Sequence, residues 1–230
     1  MRLLLIRHGQ TPDNVGGFLG TVVPGPGLTP FGLQQAAAVP ATIRGETIDG
    51  IFVSNMLRTH LTAAPLAEER GIQPIELAGL REIEAGDYEG LRDRESVRGY
   101  LGTVVAWGTD QPELRMPGAF TGTDFMARFD EAIADVERRH PDGTVAVFSH
   151  GAAMRLWVRM RSRDIDPMFT VHADLDNTGM AIMEGGLRAD GGPGFVLVSW
   201  RGAAAGLDDP TAPDVTGEPI DEAIDDAPER

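Results

Sequence analysis

LLLIRHGQT, residues 3 to 11, and VAVFSHG, residues 145 to 151, decide how this chain folds. Each begins as an apolar run with the length and composition of a strand buried on both faces, and each ends in a histidine followed by a glycine. Two histidines, His8 and His150, therefore stand at equivalent strand exits. In a parallel α/β sheet, ligands bind in the crevice outside the carboxyl ends of the strands, so these two strands, if neighbours, bring both imidazoles into one crevice.

Outward from these segments, short apolar stretches flanked by turn residues at 50–53, 73–76, 179–184 and 195–200 read as further strands. Helical patterns alternate with them over 30 to about 39, 56–70, 93–107, 123–139 and 151–162. Thr29-Pro30 supplies a cap and a first-turn proline, Gly71 a stop, and His140-Pro141-Asp142-Gly143 ends a helix before a strand begins. This alternation predicts the α/β class, a three-layer α/β/α sandwich around a mostly parallel central sheet. The stretch 84–122, rich in Gly, Pro and charge, reads as a partly helical insertion covering a site.

Composition bounds the partners. The chain has 230 residues, 42% of them hydrophobic, enough for one sizeable core. After Arg201, nine acidic residues face a lone arginine among Pro, Gly and Ala, with few apolar anchors. One domain over 1–201 and an acidic, disordered tail over 202–230 are expected. The tail carries much of the net charge of −15, and the acidic remainder argues against nucleic acid as a partner. The sequence contains no run of about eighteen apolar residues, and the apolar stretch after Arg2 is too short for a signal-peptide core, so no membrane partner and a cytoplasmic location are expected. Cysteine and lysine are both absent. That excludes disulfides, thiolate nucleophiles, cysteine-ligated metals, Schiff-base lysines and P-loop lysines, and leaves anion recognition to arginine, whose guanidinium suits phosphate bidentately.

Several residues meet that demand. Arg7 precedes His8, Arg58 stands in the first turn of the helix after the 50–53 strand, and Gly151 opens a helix whose N–H groups favour an anion. Two histidines, two arginines and a helix start describe a phosphate site better than a metal site, since neither strand end offers further ligands at close spacing.

The segments also resemble the histidine phosphatase superfamily, the phosphoglycerate mutase-like proteins. Arg7-His8-Gly9-Gln10-Thr11 with Asn14 matches its R-H-G signature, and Leu28-Thr29, Gly32 and Gln35-Ala36 match its L-T-x-x-G-x-x-Q-A. Ser54, Arg58-Thr59 and Thr62-Ala63 fit S-x-x-x-R-T-x-x-T-A. Leu80, Glu82, Gly86 and Glu89-Gly90 fit L-x-E-x-x-x-G-x-x-E-G, and Ser149-His150-Gly151 fits S-H-G. The likeness spans about residues 2–200 in order. It implies a nucleophilic His8 that forms a phosphohistidine, and Glu82 as proton donor and then base toward water. Arg7, Arg58 and His150 (the last as an imidazolium), with Asn14, Thr11 and Gly151, would hold the phosphate oxygens. It implies no metal and no cofactor, a small phosphorylated substrate, and a homodimer that nothing in the pattern demands.

The absence of lysine and of paired arginines between Glu89 and Pro117 points to the phosphatase branch. Mutase-type phosphoryl transfer and a catalytically weak phospho-ligand-binding module are the alternatives. Arg92, Arg94, Arg98 and Arg115 are candidates for a second substrate anion or for a solvated helix face. Trp107, Phe120, Phe125 and Met126 are candidates for pocket wall or core.

Overall fold

Alternation of side chains in the first strand sets the layers. In β1 (Arg2–Arg7), Leu3 and Leu5 enter one apolar cluster while Leu4 and Ile6 enter the other, and all four are fully buried. Successive strand residues point to opposite faces, so an unbroken apolar run requires cover on both sides. The computed structural model, which describes residues 1–166, 168–208, 214–217 and 219–229, supplies that cover as two helical layers.

In chain order, β1 is followed by α1 (Pro12–Gly16), α2 (Pro30–Thr42), β2 (Gly50–Val53), α3 (Leu57–Arg70) and β3 (Ile75–Glu76). Then come α4 (Arg94–Trp107), α5 (Gly122–Arg139), β4 (Thr144–Ser149), α6 (Gly151–Arg161) and α7 (Phe169–His172). The antiparallel pair β5 (Met180–Gly185) and β6 (Phe195–Arg201) precedes α8 (Ile220–Asp226). Val39 of α2 and Ala63 and Leu66 of α3 pack on Leu4 and Ile6. The opposite cluster takes Tyr100 and Leu101 from α4, Phe129 and Ile133 from α5, and Trp157 from α6. The sheet order is β3-β2-β4-β1-β5-β6, parallel from β3 to β1 and antiparallel at β5 and β6. This is the expected three-layer α/β sandwich, and β1 and β4 are neighbours.

The strand expected at 73–76 shrinks to Ile75–Glu76. Pro74 has no N–H for the ladder, which delays pairing until after it. The insertion at 84–122 is partly helical, through α4, and Tyr100 of that helix reaches the site described below.

The expectation of a disordered tail is corrected where residues are described; 209–213, 218 and 230 lie outside them. Val215, Ile220, Ala223 and Ala227 are buried in the cluster that holds Leu3 and Trp157. Ile220, Ala223 and Ala227 fall at helical spacing among the acids, so they form one apolar face that bulk composition averages away. Arg94 fastens this helix, donating to the Asp225 carbonyl at 2.7 Å and pairing with Glu229 at 3.0 Å. Among the described residues no helix is long and apolar enough to cross a membrane.

Leu4→Ala tests the load on β1. Removing a fully buried leucine should cost about 2–5 kcal/mol, read as a lower denaturant midpoint with an unchanged slope.

Candidate active site

The β1–β4 register brings the two histidines together. Arg7 pairs with Ser149 across the parallel ladder, and the His8 amide donates to the Ser149 carbonyl at 3.1 Å. One residue beyond the strand ends, the rings of His8 and His150 lie with centroids 5.2 Å apart, tilted by 55°.

The His8 loop is held by close backbone approach. A Cβ on Gly32 would fall 2.2 Å from the Gln10 carbonyl oxygen, and one on Gly9 would fall 2.7 Å from that of Gly32. Only glycines let this loop lie on the first turn of α2. Gln35 completes the seam, accepting from the Gln10 amide at 2.8 Å. These contacts give the L-T-x-x-G-x-x-Q-A segment its work, which is to position the loop that carries His8.

His8 Nδ1 lies 2.8 Å from the Gly9 carbonyl oxygen. Because a carbonyl only accepts, Nδ1 carries the proton and the lone pair is on Nε2. Burial, then Arg58 and Arg7, hold the ring's pKa well below its ordinary value, so it stays neutral. His150 is neutral for the same leading reason, burial, followed by Arg58. Arg58 Nε donates to its Nδ1 at 3.2 Å, so its Nε2 donates to the Ser54 hydroxyl at 2.8 Å. This corrects the expectation of an imidazolium at His150: positive charge comes from the guanidinium groups. Arg58 itself is buried and also donates to the Gly20 carbonyl at 3.2 Å.

Glu82 takes the place at the start of α6 that an anion was expected to fill. Its Oε1 accepts from the amides of Ile83 and Ala153, at 2.9 and 2.8 Å, and its Oε2 from that of Ala152 at 3.2 Å. Those bonds and Arg58 favour the ionised form, yet complete burial outweighs them and raises its pKa. The helix amides at 152 and 153 thus hold the chain's own carboxyl group. Gly151 lies against the C-terminal segment, where an added Cβ would fall 2.6 Å from the Thr216 carbonyl oxygen.

Thr11 and Asn14 form a capping box at the start of α1: the Asn14 amide donates to Thr11 Oγ1 at 3.3 Å, and the Thr11 amide and hydroxyl each donate to Asn14 Oδ1 at 2.9 Å. The Thr11 hydroxyl is spent on this cap, while Asn14 keeps its Nδ2 donor for another partner, Asp214, at 3.0 Å. Arg7 also turns to that residue, donating to both Asp214 oxygens at 2.5 and 2.6 Å, to Thr216 Oγ1 at 2.9 Å and to the Leu175 carbonyl at 2.7 Å.

His8, Arg58, Glu82, Thr11, Asn14, Tyr100 and Thr216 line an inner cavity of about 30 Å³. Thr21 also borders an outer cavity of about 480 Å³, whose wall includes Val22, Val23 and Phe120 and the Arg81–Glu84 ion pair. Of the four aromatic and methionine candidates, Phe120 lines this cavity, while Trp107, Phe125 and Met126 belong to the core. None of the four candidate arginines lines either cavity: Arg92 stacks on Phe18, Arg94 holds α8, Arg115 donates to the Ala119 carbonyl, and Arg98 is exposed. Among the described residues no group of three or more His, Asp or Glu side chains is gathered that would hold a metal ion.

Four participants escaped the sequence reading. Tyr100 and Thr216 carry no local motif, and Asn177, which donates to the His8 carbonyl at 3.1 Å, sits in an unremarked turn. Asp214 is one acid among nine in a segment whose composition hides it.

Comparison with known proteins agrees with the geometry. The model of the histidine phosphatase superfamily (branch 1) matches residues 3–199. A PE-PGRS family protein, PE_PGRS11 of Mycobacterium tuberculosis, is 35% identical over 87% of this chain, which spans only 36% of that protein's length. The glucosyl-3-phosphoglycerate phosphatase of Mycolicibacterium vanbaalenii is 28% identical over 87% of this chain and 92% of its own. A solved mycobacterial glucosyl-3-phosphoglycerate phosphatase, complexed with VO3, superposes with a TM-score of 0.72 at 23% identity, covering 88% of this chain and 99% of the other. That last likeness speaks to fold alone, whereas the family match and the Mycolicibacterium vanbaalenii relative support a phosphatase enzyme.

The two neutral rings tie stability to pH. The unfolded chain protonates its imidazoles near the ordinary value of 6.5, while native His8 and His150 resist protonation. The unfolded state therefore binds more protons below that value, and stability falls with acid by up to about 1.4 kcal/mol per pH unit per ring. Denaturant midpoints measured from pH 7.5 to 5.5 should drop more steeply for the wild type than for His150→Asn.

Proposed function

Because this chain belongs to the histidine phosphatase superfamily, we propose that it is a phosphomonoesterase that hydrolyses a small phosphorylated metabolite through a phosphohistidine on His8, with Glu82 as proton donor. The bond from His8 Nδ1 to the Gly9 carbonyl, 2.8 Å, in a neutral ring carries this reading. It fixes the tautomer whose Nε2 lone pair can attack phosphorus.

In the first step Nε2 bonds to phosphorus as the bond to the leaving oxygen breaks, and Glu82 gives that oxygen its proton. Burial raises the pKa of the carboxyl group, the direction a general acid requires. In the second step water attacks phosphorus, Glu82 takes its proton, and the bond to Nε2 breaks. Alcohol and inorganic phosphate leave, and both side chains are restored. Arg58, Arg7 and Asn14 hold the transferred oxygens, with the Gly151 amide as a further donor, while His150, whose Nε2 proton goes to Ser54, takes part in this by accepting from Arg58 and so orienting it. Preorganised donors of this kind account for most of the catalysis in phosphoryl transfer. The outer cavity receives the leaving group. Its arginine, Arg81, is paired with Glu84, which favours hydrolysis over a mutase reaction needing a grip on a second anion.

A phosphomonoester panel tests the reading. His8→Ala should abolish turnover while vanadate still binds. Glu82→Gln should lower kcat on alkyl phosphates by roughly 10²–10⁴-fold, yet keep the first step fast on p-nitrophenyl phosphate, whose leaving group needs no proton, so that a burst of p-nitrophenol precedes slowed hydrolysis of the phosphohistidine. Equal turnover by wild type and His8→Ala would remove the proposal, and phosphoryl transfer that depends on a bisphosphoglycerate primer would replace it with mutase chemistry.

A further inference from the structure

Asp214 meets Arg7 as a phosphate would. Its two oxygens accept from Nη2 and Nη1 at 2.6 and 2.5 Å, the parallel fork that guanidinium offers to carboxylate and phosphate alike. Asn14 Nδ2 donates to the same carboxylate at 3.0 Å. One internal anion thus engages two of the groups assigned to the substrate's phosphate. The Arg7 side chain is completely buried, so its partner there is matched to a charge with no access to water.

The contact belongs to a built wall. Thr216 accepts from Arg7 and lines the inner cavity beside His8, Arg58 and Glu82. Arg155, itself buried, donates to the carbonyls of Thr216 and Gly217 at 3.1 and 2.5 Å, and the Leu175 amide donates to the Gly217 carbonyl at 2.8 Å. Val215 is buried between these anchors. Asn14 joins the two places: it lines the inner cavity with Thr216, and its Nδ2 is held by the Asp214 carboxylate.

We infer that Asp214 is a built-in competitor for the phosphate subsite: its carboxylate holds Arg7 and Asn14, and a phosphomonoester binds by taking those two donors from it. The inference rests on the proposal that Arg7 and Asn14 bind the substrate's phosphate. Asp214 then sets affinity and selectivity together. A singly charged planar anion gains little by replacing another, whereas a phosphate monoester near neutral pH carries about −1.5 to −2 charges and more acceptor oxygens. The exchange therefore favours phosphate dianions over carboxylates and sulfonates, and the returning carboxylate speeds release of product phosphate.

The test uses the full chain and anion binding, which needs no turnover. Asp214→Asn keeps the size and removes the charge, and Asp214→Ala removes both. Each should bind orthovanadate and inorganic phosphate roughly tenfold tighter by calorimetry, the equivalent of one hydrogen bond to a charged group. KM for phenyl phosphate should fall in parallel, and inorganic phosphate should inhibit more strongly. Unchanged or weaker anion affinity in a variant that still unfolds cooperatively would overturn the inference and make Asp214 a residue that merely orients Arg7. If neither variant folds, a crystal structure of the wild type with vanadate decides. The carboxylate should have left Arg7 and Asn14, and finding it still bidentate on Arg7 refutes competition. Tighter anion binding without turnover of any ester would keep this inference and discard the phosphatase. Absence of anion binding to all three proteins would discard both.

Discussion

The parallel pairing of β1 with β4 is the constraint on which the site depends. Their ladder runs from Arg2 opposite Thr144 to Arg7 opposite Ser149, and both strands end at the same level. Each continues for one residue into a histidine, so a backbone register, formed far from any ligand, sets the distance between two imidazoles. The register is itself enforced by burial. A slip of one residue would exchange Leu3 and Leu5 with Leu4 and Ile6 between two differently shaped cores, and carry His8 to the other face. Chemistry at the strand ends thus draws its precision from apolar packing.

Electrostatics in the crevice follow from the same burial. Both rings sit fully enclosed beside buried arginines, and in that setting the neutral imidazole is the stable form. Glu82, equally enclosed, is pushed the opposite way, toward its protonated state. One physical cause, desolvation, leads both shifts, downward for the imidazoles and upward for the carboxyl group. Arg58 bridges the parts: it touches His150, lines the cavity with His8 and Glu82, and favours the ionised carboxylate against burial.

The C-terminal segment adds a layer that the central domain does not contain. Val215, Ile220, Ala223 and Ala227 give it a packing reason to return to the core, and Arg94 and Arg155 anchor its carbonyls. Asp214 then arrives beside Arg7 as a consequence of that docking. A guanidinium buried alone carries a cost, and a chain carboxylate on its donors offsets it.

Much of this was legible in the residue order. Apolar runs ending in Arg7-His8-Gly9 and Ser149-His150-Gly151 announced buried strands with chemistry at their exits, because strand length and double-sided burial leave a local imprint. Turn and cap residues such as Thr29-Pro30 and Gly71 bounded the helices for the same local reason. The assignments of Arg58 and Glu82 came from ordered motifs, and folding brought both into one cavity with His8. Tertiary structure alone decided that His150 is neutral, that the amides of α6 bind Glu82, that Thr11 spends its hydroxyl on Asn14, and that Asp214, some two hundred residues from Arg7 in the chain, lies against it. Those outcomes depend on dielectric surroundings and on contacts between distant segments. Neither quantity is encoded in a window of neighbouring residues, and both exist only once the layers have closed.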